Sequence, residues 1–179
     1  MTKTAAGLVA PLALLVGSVL AGSVLTGPVS AEDVPLAHIY AQGDWDKIGD
    51  DWDCIEIAST MGWQRYMVPH EGILGRNFTY MIIHTDQVGW TVDKAQYAPV
   101  LNGGHTGADA EALAPYDKYK FDQSAPFGAL MVRFADGDSR ALLNEGEEPW
   151  TIGQEPQLDF RINDTGFGDN AGVLQLCFW

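Results

Sequence analysis

The residues best suited to chemistry in this chain are oxygen donors gathered in residues 158–176 (LDFRINDTGFGDNAGVLQL). A strand ends at Asn163-Asp164, a glycine-rich turn carries Asp169-Asn170, and Gly172 leads into a final strand. Such a loop turns the carboxylates of Asp164 and Asp169, the amide of Asn170 and nearby backbone carbonyls toward one point. Oxygen-only donors on a tight loop suit Ca²⁺, which takes about six to eight oxygens. Zinc would want Cys or His, and the loop has neither. The competing reading is plain turn chemistry, since Asn, Asp and Gly also serve tight hairpins. The spacing is not that of an EF-hand loop, and both readings stay open on residue types alone.

Other chemistries find less material. The chain has no G-x-S-x-G, no H-E-x-x-H and no phosphate-cradling glycine loop, so catalysis is not expected. Its two cysteines, Cys54 and Cys177, lie outside any C-x-x-C or C-x-x-C-H context, which argues against redox catalysis and c-type haem. Trp45, Trp52, Trp63, Trp90, Trp150 and Trp179 could stack on sugar rings, plug the core or face a protein partner. The core suits Trp63 and Trp90 best. Exposure or docking suits Trp45 and Trp52, and Trp179 is the best candidate for a contact surface.

The elements that must position these residues read as strands. Short apolar alternation broken by Gly, Pro, Asn and Asp predicts an all-β sandwich, with strands at Cys54–Ala58, Phe78–His84, Ala129–Phe134, Leu158–Ile162 and Val173–Phe178. In the last, Leu174, Leu176 and Phe178 share one face and Cys177 lies on the other. The first reads likewise, with Ile55 and Ile57 inward and Cys54 outward. Two outward cysteines in an oxidising compartment suggest a Cys54–Cys177 disulfide between the first and last strands, which would staple the chain ends together if those strands are neighbours. Two unpaired thiols under a covering loop are the alternative. The stretch Gly89–Gln123 is less regular, with a turn cluster around His105 and a short helical run at Ala108–Ala114. It reads as a long loop over one end of the sandwich, where sites usually lie.

Residues 1–31 differ from the rest. Lys3 precedes an uncharged run from Ala5 to Ala31, and the small residues Val29-Ser30-Ala31 suit signal-peptidase cleavage. The apolar stretch Ala5 to Thr26 would also span roughly 33 Å as a helix, about one bilayer. Gly17, Ser18, Ala21 and Gly22 give small-xxx-small spacing on one face of it, which lets a neighbouring transmembrane helix approach closely. The chain therefore divides into a signal peptide or retained anchor at 1–31 and an exported domain at 32–179. Basic residue before and acids after would leave that domain on the outer, periplasmic side.

The net charge of −14, from 24 acidic and 10 basic side chains, excludes nucleic acid and anionic membrane surfaces as partners of the domain. Removal of Lys3 makes the exported part −15. The full chain of 179 residues allows one core of ordinary size.

A resemblance then becomes usable. Residues Ile162 to Gly172 (INDTGFGDNAG) resemble the closing motif of the calcium-dependent galactophilic bacterial lectin family within the galactose-binding-like β-sandwich superfamily. Ala125 to Phe134 (APFGALMVRF) resembles the family's strand before that motif, and Ile57 to Tyr66 (IASTMGWQRY) its early strand ending in Gly-Trp. The resemblance implies a galactose-binding-like jelly-roll in which the closing loop holds Ca²⁺ and the ion coordinates sugar hydroxyls. Asp164 and Asn170 match calcium ligands, Asp169 stands where the family has an Asn touching ion and sugar, and Tyr66 matches a position offering its backbone carbonyl. The loop is one residue shorter than in the lectins, and the family's sugar-binding His and Gln loop is replaced by Gly89–Gln123. There His105 is the available histidine, and a solvent-exposed loop histidine is its competing reading.

Two functions follow as expectations. The leading one is a non-catalytic accessory subunit, anchored by its N-terminal hydrophobic helix, whose periplasmic sandwich docks on integral membrane subunits of a larger complex. The other is a secreted or periplasmic calcium-dependent module that binds carbohydrate, a galactoside above all, through Asp164, Asp169 and His105.

Overall fold

The computed structural model describes residues 34–42, 53–68, 80–83, 88–143, 149–153 and 155–178. Gly17, Ser18, Ala21 and Gly22, with the whole of 1–31, lie outside the described residues, as do Trp45, Trp52 and Trp179.

Alternating apolar residues dominate the chain after residue 52, and the result is two antiparallel sheets with one short helix. The strands are β1 (His38–Gln42), β2 (Asp53–Ala58), β3 (Gln64–Met67), β4 (Tyr80–Ile83), β5 (Trp90–Thr91), β6 (Leu130–Phe134), β7 (Ser139–Ala141), β8 (Trp150–Thr151), β9 (Gln157–Ile162) and β10 (Ala171–Phe178). Helix α1 (Gly107–Leu113) continues into a 3-10 turn over Ala114–Tyr119. One sheet runs β1-β2-β10-β4-β8 with β5 added on β10; the other runs β3-β9-β6-β7.

The period-2 pattern decides what faces the core. Ile55 and Ile57 of β2, Met81 and Ile83 of β4 and Leu174, Leu176 and Phe178 of β10 come from the first sheet. They meet Tyr66 of β3, Leu130 and Val132 of β6 and Leu158, Phe160 and Ile162 of β9 from the second. Each such side chain stabilises the fold by about 1.5–3 kcal/mol through burial. Trp90 is fully buried among them and donates its indole N–H to the Gly128 carbonyl at 2.7 Å. The phenol of Tyr66 stacks on Phe178 and donates to the buried Asp53 carboxylate at 2.9 Å, which ties the two inner faces together.

The five expected strands are present within a residue or two, Phe78–His84 being seen over its described part, Tyr80–Ile83. β2 and β10 are neighbours in the register Cys177↔Cys54, and the two cysteines form a disulfide with Cα atoms 4.1 Å apart. The strand that begins at residue 53 is not the first, however, because β1 lies outside it on the sheet edge. Just before β1, Ala37 N–H donates to the Arg65 carbonyl and Arg65 N–H to the Pro35 carbonyl, both at 2.7 Å. The chain therefore touches the second sheet before entering the first, and closes one side of the sandwich. Residues 57–66 do not form a single strand: β2 ends at Ala58, and a turn leads into β3 on the opposite sheet.

Gly172 is where β10 changes partners. Its φ is +90°, and a Cβ there would stand 2.4 Å from the Gly89 carbonyl oxygen. Only glycine allows β10 to leave β2 and β4 and pair with the short β5 beside the loop.

Candidate functional site

The candidate site lies where β9 ends. Asn163, fully buried, is the hinge of this region: its Nδ2 donates to the carbonyls of Asp122 (3.0 Å) and Pro126 (2.9 Å), and its Oδ1 accepts the Asp122 N–H (2.8 Å). One amide thus pins the long loop against the end of β9. Two bonds at 2.7 Å, from the Thr165 N–H and hydroxyl to the Tyr119 carbonyl, then fasten the 3-10 turn to the residues after Asp164.

Asp164 itself is only 4% exposed. Its Oδ1 accepts the Gly166 N–H at 2.8 Å, the Asx-turn arrangement expected of Asp before a tight turn. Burial pushes its carboxyl above the usual range. The Gly166 N–H and the Asn170 amide oppose that push, while the negative charge of Asp169 adds to it. Asn170, 2% exposed, donates from Nδ2 to the Ser59 carbonyl at 3.0 Å, and its Oδ1 is buried with no hydrogen-bond partner. A buried amide oxygen without a partner is costly in the absence of a donor or cation, and it lies on the same loop as the buried Asp164 and the exposed Asp169. The donors are all oxygen, which fits a hard cation rather than zinc. No group of three His, Cys, Asp or Glu side chains gathers as a metal cluster among the described residues, so amide and carbonyl oxygens would have to complete a shell.

The structure brings Asp164, Asp169 and Asn170 to one loop. Tyr66 is elsewhere. It pairs with Leu158, so six residues of β9 and its end separate it from Asp164, roughly 20 Å of extended chain. The carbonyl that does reach the loop belongs to Ser59, whose N–H and hydroxyl also hold the Gly172 carbonyl at 3.1 and 3.0 Å.

The expectation of an exposed loop histidine is overturned. His105 is 1% exposed, packed edge-on against Tyr97 and beneath Gly128, whose missing side chain makes room: a Cβ on Gly128 would stand 3.1 Å from the imidazole Cδ2. Both ring nitrogens lack hydrogen bonds, and Nδ1 lies 3.7 Å from Asp109 on α1. Burial lowers the His105 pKa, and the Asp109 charge only partly offsets it. His105 stands behind the site wall and not in it.

Asp164 and Asp169 open into a cleft of about 340 Å³. Its other walls come from the long stretch 89–123, with α1 and its 3-10 turn, through Val92, Asp93, Gln96, Tyr97, Leu113, Tyr116 and Tyr119, and from Phe127 just before β6. Sequence reasoning picked out the stretch 89–123 but none of these side chains. The Tyr116 and Tyr119 spacing was a usable signal, since residues three apart eclipse on a 3-10 turn and present both rings to one side. Asp93 is held by its own turn, with Oδ1 accepting the Ala95 N–H at 2.8 Å. The Lys94 N–H donates to the Asp169 carbonyl at 3.0 Å, which ties this wall to the closing loop.

Set against known proteins, the chain matches no family model, no curated protein and no solved structure.

Proposed function

We propose that the cleft binds a carbohydrate, with Ca²⁺ held by Asp164, Asp169 and the Asn170 amide, on a galactose-binding-like jelly-roll domain acting outside the cytoplasm. The observation that carries this is the shared cleft: Asp164 and Asp169 of the closing loop line it together with Tyr97, Tyr116 and Tyr119. A sugar offers hydroxyls on its edge and C–H groups on its faces, and a pocket of acceptors and aromatic rings answers both. When bound, Ca²⁺ supplies coordination to a pair of adjacent sugar hydroxyls. The chain's own residues do the rest: Tyr116 and Tyr119 offer rings for a sugar face, and Gln96 and Asp93 take hydroxyls. The Cys54–Cys177 disulfide supports an oxidising compartment and hence export.

Calorimetry tests this directly. Ca²⁺ is expected to bind the native protein, methyl galactoside to bind in its presence, and Asp164→Ala to abolish both. Absence of heat for ion and sugar alike, or full binding by Asp164→Ala, would overturn the reading.

The tethered accessory subunit is the second reading. Three exposed apolar side chains favour it: Leu36 (71% exposed) and Ile39 (43%) where the chain enters the domain, and Met67 (53%) on edge strand β3. Mass spectrometry of the native N-terminus decides it in its anchored form, because a chain beginning at Glu32 has no helix with which to join membrane subunits.

A further inference from the structure

Neutral sugars leave one property of the cleft unused. Three carboxylates, Asp93, Asp164 and Asp169, line it, and among the described residues no lysine or arginine does. A divalent cation on the closing loop offsets two of the three charges and leaves the third, to which Asp93, next to Tyr97 in its own turn, contributes. The faces of tyrosine rings are themselves negative and attract cations within about 6 Å. The rim already shows that preference: Lys118 Nζ lies 4.8 Å from the centre of the Tyr119 ring. Lys120, over Phe127 at 5.5 Å, is paired with Asp117 at 2.7 Å and so leaves Asp93 uncompensated. Each Asp93 oxygen accepts one bond within its own turn, from Ala95 N–H and Gln96 Nε2, and keeps lone-pair capacity for a ligand donor.

We infer that the preferred ligand is an amino sugar with a free ammonium group, read by Asp93 and the tyrosine faces. This rests on the carbohydrate reading of the same cleft and names its substrate class. An N-acetylated sugar has lost the charge, and an acidic sugar meets three like charges.

The test compares galactose, galactosamine and N-acetylgalactosamine, which differ only at one ring position, on the full chain with Ca²⁺ present. It is run near pH 6.5, where an amine of ordinary pKa is protonated. Galactosamine is expected to bind at least about tenfold more tightly than galactose, and N-acetylgalactosamine no more tightly than galactose. The galactosamine-to-galactose ratio is expected to narrow as sodium chloride is raised and to fall toward one in Asp93→Asn, whose side chain can still accept the Ala95 N–H. Equal binding of galactose and galactosamine, or a ratio indifferent to both salt and Asp93→Asn, overturns the inference and leaves the sugar site standing. Failure of all three sugars to bind overturns the carbohydrate reading, and the inference with it.

Discussion

Strand β9 and the residues after it carry two buried aspartates that live in opposite electrostatic conditions. Asp159 is 1% exposed and Asp164 4%, so burial alone does not distinguish them. Asp159 sits between two arginines, with Arg65 bonded at 2.7 and 3.0 Å and Arg133 at 2.6 and 3.2 Å. Burial pushes its carboxyl upward, but the hydrogen bonds and charges of Arg65 and Arg133 outweigh that and hold it below the usual range. Asp164 has no such partner for its carboxylate. The nearest arginine, Arg161, spends its Nη2 on the Asp164 backbone carbonyl at 2.6 Å, and its plane is packed against Trp63, Phe121 and Phe167. Burial drops the Arg161 pKa to about 10 even with the Asp164 charge nearby. The difference separates an acid whose charge two arginines of the fold neutralise from one whose charge burial opposes.

Removing the paired acid gives the largest expected effect. Asp159→Ala strands Arg65 and Arg133 on the covered face of the second sheet and is expected to cost roughly 3 kcal/mol in urea unfolding. A loss no greater than that of an ordinary surface substitution would mean the two arginines are solvated and the contrast is false. Asp164→Asn should behave differently, because the amide keeps the Gly166 bond and loses a charge that burial opposes. Its stability in calcium-free buffer at pH 7 is expected to fall by no more than about 0.5 kcal/mol, while Ca²⁺ binding is lost.

The pH dependence sharpens the same comparison. The folded-state pKa of Asp159 is depressed, so its contribution is present above the unfolded carboxylate pKa and is lost as pH falls through the lower, folded value. That of Asp164 is raised, so its contribution is present below the unfolded value and is lost as pH rises through the folded one. Urea midpoints between about pH 3 and 7 should therefore show a smaller decline with rising pH in Asp164→Asn than in the native protein. The smallest effect belongs to His105, whose folded pKa is depressed: stability is full above the unfolded imidazole value near 6.5 and declines as pH falls toward the folded one. His105→Phe should remove that slope, and persistence of the slope would place the titrating group elsewhere.

How far these features were legible depends on whether their cause is local. β9 (QLDFRI) and the second half of β10 alternate along their length, β2 does so at Ile55 and Ile57, and β6 reads as a short apolar run, so their cores could be read from spacing. β5, β7 and β8 are two or three residues long, too short to show a period, and exist because longer strands present unpaired edges to them. The Cys54–Cys177 bridge follows from two outward positions on adjacent strands. The closing loop announced Asp164, Asp169 and Asn170 through turn residues. The tyrosine wall did not announce itself, since Tyr97, Tyr116 and Tyr119 meet the loop only through contacts such as Thr165 to the Tyr119 carbonyl. His105 defeated the expectation of an exposed loop histidine because its cover is distant in sequence: a glycine, Gly128, yields it space and Tyr97 packs against it.

The bond between Cys54 and Cys177 spans 123 positions of sequence, and every described residue lining the cleft falls inside that span. The cleft is therefore part of a closed covalent ring. A protease that cuts the ring once anywhere between β2 and β10 would open a loop without releasing a fragment. A nicked molecule would migrate as one band until a reductant is added, and both cleft walls would stay on the same molecule after cleavage.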